Sequence, residues 1–172
     1  MEVVGNYLLK MVFLGAFFLP HGAMILDPNK ENLPSSAKNL HEAMKQVTSQ
    51  IEALNPDLIF LSTPHGLNLS KSFGLYANNK AQGNSEWNEM WKEFSVLVNL
   101  DIDVSASLCN ELELQKVPVE MICSHTGLGP SVLRWGEVVP LYFMPPGERR
   151  YVIMSVPNSN EFIFSIHGLH VF

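Results

Sequence analysis

Two identical tripeptides, Pro20-His21-Gly22 and Pro64-His65-Gly66, constrain this chain more than any other feature. Each follows an apolar run, Met11 to Leu19 immediately before the first and Leu58 to Leu61, within Asp57 to Ser62, shortly before the second. Between them Leu40, Ala43, Met44, Val47, Ile51 and Leu54 recur at helical spacing, behind Ser35 or Ser36 as a cap and ahead of Asn55-Pro56 as a stop. Apolar run, amphipathic stretch, apolar run is the pattern of a strand–helix–strand unit, which crosses over right-handed and sets its two strands parallel. Parallel neighbours end on the same edge of the sheet, so both imidazoles are expected in one crevice beyond the carboxyl ends of the strands. Pro20 cannot extend a ladder and Gly22 accepts unusual backbone angles, so His21 is expected on a forced turn.

The rest of the chain continues the alternation. Ser72 to Asn79 reads as a strand candidate, Asn78 to Lys92 as a polar surface excursion carrying Trp87 and Trp91, and Phe94 to Leu100 as a strand. Asp101 to Leu114 follows as a helix, Val117 to Cys123 as a strand, Ser124 to Pro130 as a glycine-bearing loop and Tyr151 to Val156 as a final strand. The predicted fold class is therefore α/β, a mostly parallel central sheet with flanking helices, in a single domain over 1–172. With 172 residues, 47% of them hydrophobic, the chain can bury one substantial core.

Charge and cysteine usage narrow the function classes. A net charge of -6 with eleven scattered Lys and Arg argues against nucleic acid, whose phosphates call for clustered cations. Cys109 and Cys123 are too few for a disulfide framework and lack zinc-ribbon spacing, which points to two free thiols and a cytoplasmic setting. The run before Pro20 is interrupted by Lys10, preceded by Glu2 and followed by no cleavage pattern, so it reads as structure rather than as a targeting segment. No apolar run is long enough to span a membrane.

Histidine is the commonest metal-ligating side chain. Alone after a strand it is usually a hydrogen-bonded loop residue, but two in matched contexts favour ligation, with His21 and His65 as two imidazoles of a metal site. Two imidazoles and a carboxylate form the facial set of non-haem Fe(II) oxygenases, which leaves positions open for dioxygen and a chelating substrate. Zn(II) and Mn(II) share these ligands. His125, on the glycine-bearing loop, is either a plain loop residue or a catalytic proton-transfer group. His41 falls on the polar side of its helix and is expected to be solvated. His167 and His170, in the terminal apolar stretch, suggest no mechanism, and the Trp87/Trp91 pair reads as packing or a pocket cover.

Four segments, Phe17-Phe18-Leu19-Pro20-His21-Gly22, Pro56-Asp57-Leu58-Ile59, Thr63-Pro64-His65-Gly66 and Val138-Val139-Pro140-Leu141-Tyr142-Phe143, resemble the class III extradiol ring-cleavage dioxygenase superfamily. That superfamily includes the catalytic subunit of protocatechuate 4,5-dioxygenase, DOPA-type extradiol dioxygenases and the Memo-like proteins. The resemblance runs over 11–157, the N-terminal part of such an enzyme, and leaves 158–172 as a divergent tail. It implies Fe(II) held by His21 and His65, an aromatic diol and O2 as substrates, and ring opening beside the diol. In the Memo-like branch it implies instead a non-catalytic interaction or scaffold protein.

Two departures bear on activity. Where the family commonly has Asp-His-Gly, with that histidine near the substrate, this chain has Arg134-Trp135-Gly136, and an indole cannot shuttle protons. The family's third ligand, usually a glutamate, comes from a C-terminal block with no counterpart here, which suggests a truncated form or an alternative C-terminus. A carboxylate such as Asp27 or Glu137 would then have to be borrowed. The sequence leaves open the aromatic substrate, the metal and whether a protein partner or a homodimer forms.

Overall fold

The structure is a computed structural model that describes residues 11–67, 69–85, 94–124, 129–145 and 147–158. Its elements in chain order are a short 3-10 turn (Ala23–Ile25), α1 (Ser35–Leu54), β1 (Leu58–Thr63), β2 (Phe73–Tyr76), β3 (Lys80–Asn84), β4 (Ser95–Leu100), α2 (Ile102–Leu114), β5 (Val119–Ile122), β6 (Ser131–Leu133), α3 (Trp135–Tyr142) and β7 (Arg150–Ser155). The seven strands form one sheet in the order β5-β2-β7-β4-β3-β6, with β1 also on β7. The pairings β1–β7, β4–β7, β2–β5 and β3–β6 are parallel, whereas β2–β7 and β3–β4 are antiparallel, so the sheet is mixed and mostly parallel.

β7 is the hub of this arrangement. One edge pairs with β1 along its whole length, from Leu58 opposite Arg150 to Thr63 opposite Ser155. The other edge is shared between the end of β4, at Asn99 and Leu100, and β2, at Gly74 and Leu75. A strand flanked on both edges and covered on both faces must be apolar throughout its middle, and Tyr151, Val152 and Ile153 are buried accordingly. On one face α3 packs through Val138 and Leu141 against Tyr76, Ala81, Leu100, Tyr151 and Ile153. On the other face Cys109 of α2 joins Leu75, Val119 and Val152. Asp101 begins α2 by accepting from Val104 N–H at 3.0 Å, and its second oxygen meets Arg150 at 2.6 Å, which ties the helix start to the head of β7.

α1 forms where its apolar periodicity predicts. Pro34 stands at its N-cap, with Ser35 and Ser36 as its first helical residues, and Asn55 ends it in a left-handed conformation at φ 45° with its N–H on Ile51 and Glu52 carbonyls. Only part of the predicted stripe is buried. Met44 and Ile51 are enclosed while Leu40 and Leu54 stay exposed. The helix packs outside α3, with Met44 against Ile25, Leu26, Phe94, Val139 and Phe143.

The largest difference from the sequence reading lies at 11–19. These residues form no strand, their backbone makes no hydrogen bond among the described residues, and Val12, Phe13 and Phe18 are exposed. Apolar runs report a tendency to be buried, and here no neighbouring strand among the described residues supplies the ladder that would convert the tendency into β structure. β3, β6 and α3 are elements that the sequence reading did not contain.

Candidate metal centre

His65 is delivered as predicted, two residues beyond the end of β1. His21 is delivered differently, by an irregular segment that enters the 3-10 turn. The two rings nevertheless meet, with centroids 4.7 Å apart and planes at 54°. Metal–imidazole bonds are about 2.0–2.1 Å long, so rings this close can both reach one ion. Burial, and then the neighbouring His65, hold the pKa of His21 below its ordinary value, so the neutral ring that a metal requires is favoured there.

Trp135 completes a triangle with the two histidines. Its ring lies 4.6 Å from His65 in a stacked arrangement at 30° and 5.4 Å from His21. The indole has a donor N–H and no lone pair to offer an ion. It therefore occupies the third corner without supplying a third ligand.

The turn that carries His65 is held from behind by a buried polar network. Thr63 Oγ1 accepts from His65 N–H at 3.2 Å and donates to the Gly136 carbonyl at 3.4 Å. That carbonyl is free because its partner in a regular helix would be the N–H of residue 140, and residue 140 is proline. Ser155 Oγ donates to the Leu67 carbonyl at 2.7 Å, and the Tyr76 hydroxyl accepts from Leu67 N–H at 3.3 Å. The same hydroxyl donates to Glu137 Oε1 at 2.5 Å, while Glu137 Oε2 accepts from Arg134 N–H at 2.7 Å. Burial pushes the Glu137 carboxyl above its ordinary range, against the pull of these two donors. Burial, then the charge of Glu137, pushes the Tyr76 hydroxyl up as well.

Packing around this turn leaves no spare volume. A Cβ at Gly66 would overlap the Glu137 carboxylate and come within 2.7 Å of Ser155 Oγ, and one at Gly136 would lie 2.5 Å from His65 Cβ. The first tripeptide is not built this way. Gly22 has an ordinary extended conformation, φ -76° and ψ 127°, and a Cβ there would find Met24 Cγ at 4.0 Å as its nearest neighbour. The His21 segment is held by the packing of Ile25 and Leu26 against Met44, Val139 and Phe143 and by His41, which is half-buried rather than solvated. Its Nδ1 donates to the Ile25 carbonyl at 2.7 Å and its ring meets Phe143 edge-on at 5.2 Å.

The remaining sequence-predicted residues divide as follows. Glu137 is near the pair but both of its oxygens are engaged, so it is a structural acceptor and not a borrowed ligand. Asp27 accepts from Asn29 N–H at 3.0 Å in its own loop. His125, His167, His170, Trp87 and Trp91 lie outside the described residues. Among the described residues no three His, Cys, Asp or Glu side chains group closely enough to hold an ion. His21 and His65 are thus close enough to take two positions of a facial set, and the described residues do not complete it.

The geometry of a histidine pair beyond a mostly parallel sheet agrees with what the whole chain matches. Residues 15–167 match the family described as the catalytic LigB subunit of aromatic ring-opening dioxygenase. The chain belongs to this family. No curated protein matches it. The match spans both tripeptides and the Trp135–Tyr142 helix, so the ring triangle sits inside the dioxygenase region. Among the described residues no helix is long and apolar enough to cross a membrane. The sequence reading names Glu137 only as a carboxylate to be borrowed, and the signal for its role as a buried acceptor is its position as the one charged residue in the otherwise apolar run from Trp135 to Phe143.

Proposed function

We propose that this member of the ring-opening dioxygenase family binds a non-haem divalent metal through His21 and His65 and has impaired or absent extradiol turnover. The observation that carries the proposal is the 4.7 Å approach of the two imidazoles with the Trp135 indole at the third corner. Fe(II) is the favoured ion by family resemblance, with Zn(II) or Mn(II) compatible with the same ligands. When bound, such an ion supplies a Lewis-acid centre that draws a catechol and dioxygen together. The chain's own contribution is to orient two ligands and to cover them with an aromatic face on which a planar diol ring can stack. An active form would take a small aromatic diol and O2, with His125 as the candidate for moving a proton.

Anaerobic titration with Fe(II), followed by oxygen uptake with simple catechols, tests both halves of the proposal. The expected result is one ion per chain, lost in His21→Ala and in His65→Ala, with oxygen uptake no faster than in those variants. Binding that ignores both substitutions would refute the metal site, and rapid ring opening would refute the impairment.

A second reading, a non-catalytic interaction or scaffold protein, is favoured by the same indole and by the exposure of Val12, Phe13 and Phe18, apolar side chains that a partner or a second copy could cover. It predicts no histidine-dependent metal binding in a stably folded protein. The free thiols Cys109 and Cys123 support a cytoplasmic setting.

A further inference from the structure

Glu137 is fully buried, and its two oxygens touch both elements that meet at the ring triangle. One oxygen takes the Tyr76 hydroxyl, which in turn holds Leu67 N–H just beyond the His65-Gly66 turn. The other takes Arg134 N–H, the residue directly before Trp135. We propose that Glu137, with Tyr76, is a positioning residue that sets the stacked separation of His65 and Trp135. The two rings belong to segments far apart in the chain, and their stack can be no better defined than the link between the segments that carry them. One such link is short and polar and runs from Leu67 to Tyr76 to Glu137 to Arg134, beside the bridge that Thr63 makes to the Gly136 carbonyl. A carboxylate is suited to this task because it accepts from both sides at once and has no donor to leave unsatisfied. Its burial makes the arrangement stringent, since removing the acceptor strands the buried Tyr76 hydroxyl and frees the part-buried Arg134 N–H.

Two further contacts agree with the assignment. The Gly66 backbone lies so close to Glu137 that any side chain there would displace the carboxylate, and Thr63 ties the end of β1 to the Gly136 carbonyl beside Trp135. The network grips one corner of the triangle and leaves another alone. His21 has no hydrogen bond to it, and its segment is tethered through His41 instead.

The inference stands whether or not the site takes a metal, and its test uses none. An indole stacked at 4.6 Å shifts the imidazole C–H proton resonances of His65 upfield. The size of that shift is fixed by comparing the wild-type full chain with Trp135→Leu by NMR. The His41 ring, which faces Phe143, serves as an internal control. In Tyr76→Phe, which keeps the aromatic packing and deletes only the hydroxyl, the His65 shift is expected to move toward the Trp135→Leu value while His41 stays in place. Glu137→Ala should move it further, and Glu137→Gln, which retains an acceptor, should recover part of it. An unchanged His65 shift in Tyr76→Phe would overturn the proposal, and this variant decides the matter even where Glu137→Ala fails to fold. A loss of His65 and His41 shifts together in Tyr76→Phe would also overturn it, because it would mean general loosening.

Discussion

The two Pro-His-Gly turns share a sequence and differ in almost everything that supports it. Behind His65 stand a strand paired along its full length with β7, a glycine with no room for a methyl group, and hydrogen bonds from Thr63, Tyr76 and Ser155 to the turn or its neighbours. Behind His21 stand nine residues without a strand, a glycine with open space beside it, a hydrogen bond from His41, and the apolar packing of Ile25 and Leu26. Identical tripeptides therefore do not imply identical local structure. The tripeptide specifies which group is displayed, and its surroundings decide how firmly.

If that contrast is right, substitutions on the His65 side should cost far more than their counterparts on the His21 side. Glu137→Ala should have the largest effect, a loss of about 3 kcal/mol in denaturant unfolding, since it leaves the buried Tyr76 hydroxyl and the part-buried Arg134 N–H without their acceptor. Gly66→Ala should cost about 2 kcal/mol through overpacking against Glu137 and Ser155, whereas Gly22→Ala should stay within about 0.5 kcal/mol. Equal costs for the two glycine variants would break the comparison outright. His41→Ala should cost about 1 kcal/mol, the value of one hydrogen bond, and should loosen the His21 segment selectively.

The two sides should also respond to pH in opposite directions. The Glu137 carboxyl is raised above 4.5, so its contribution to stability is full below that value and is lost as pH rises through its folded-state pKa. The His21 ring is lowered from 6.5, so its contribution is full above that value and is lost as pH falls through its folded-state pKa. Melting temperatures across pH for wild type, Glu137→Gln and His21→Ala check both signs. Glu137→Gln should gain on wild type as pH rises above 4.5, and His21→Ala should gain on it as pH falls below 6.5. The smallest effect is expected from Phe18→Ser, which should change stability by less than about 0.5 kcal/mol because that side chain is fully exposed.

Much of this architecture is legible in the sequence. α1, β1, β4, α2, β5 and β7 sit where hydrophobic periodicity and stop signals place them, because each helix buries part of an apolar stripe and each strand pairs in the sheet, β4 and β7 on both edges and β1 and β5 on one. The run at 11–19 carries the same signal, but apolarity cannot state whether a partner strand is present. β3 is hidden by Lys80, Gln82, Gly83 and Asn84, which lie in the sheet only because β4 and β6 flank them. α3 is hidden by Gly136 and Pro140, residues that usually break helices and here allow close approach to His65 and free a carbonyl for Thr63. Of the site, the histidine pair is readable from the repeat. Trp135 is readable only as a departure from a family pattern, and its place on both rings depends on contacts between segments more than 60 residues apart.

The central claim is that His21 and His65 share one site although only one of them is presented by a strand. Titration of the full chain with Co(II), read by its visible absorption, tests this most directly beside His21→Ala and His65→Ala. A single ion per chain, with the spectrum lost in either single variant, is the predicted result. Two variants that each retain the wild-type spectrum and affinity would contradict it.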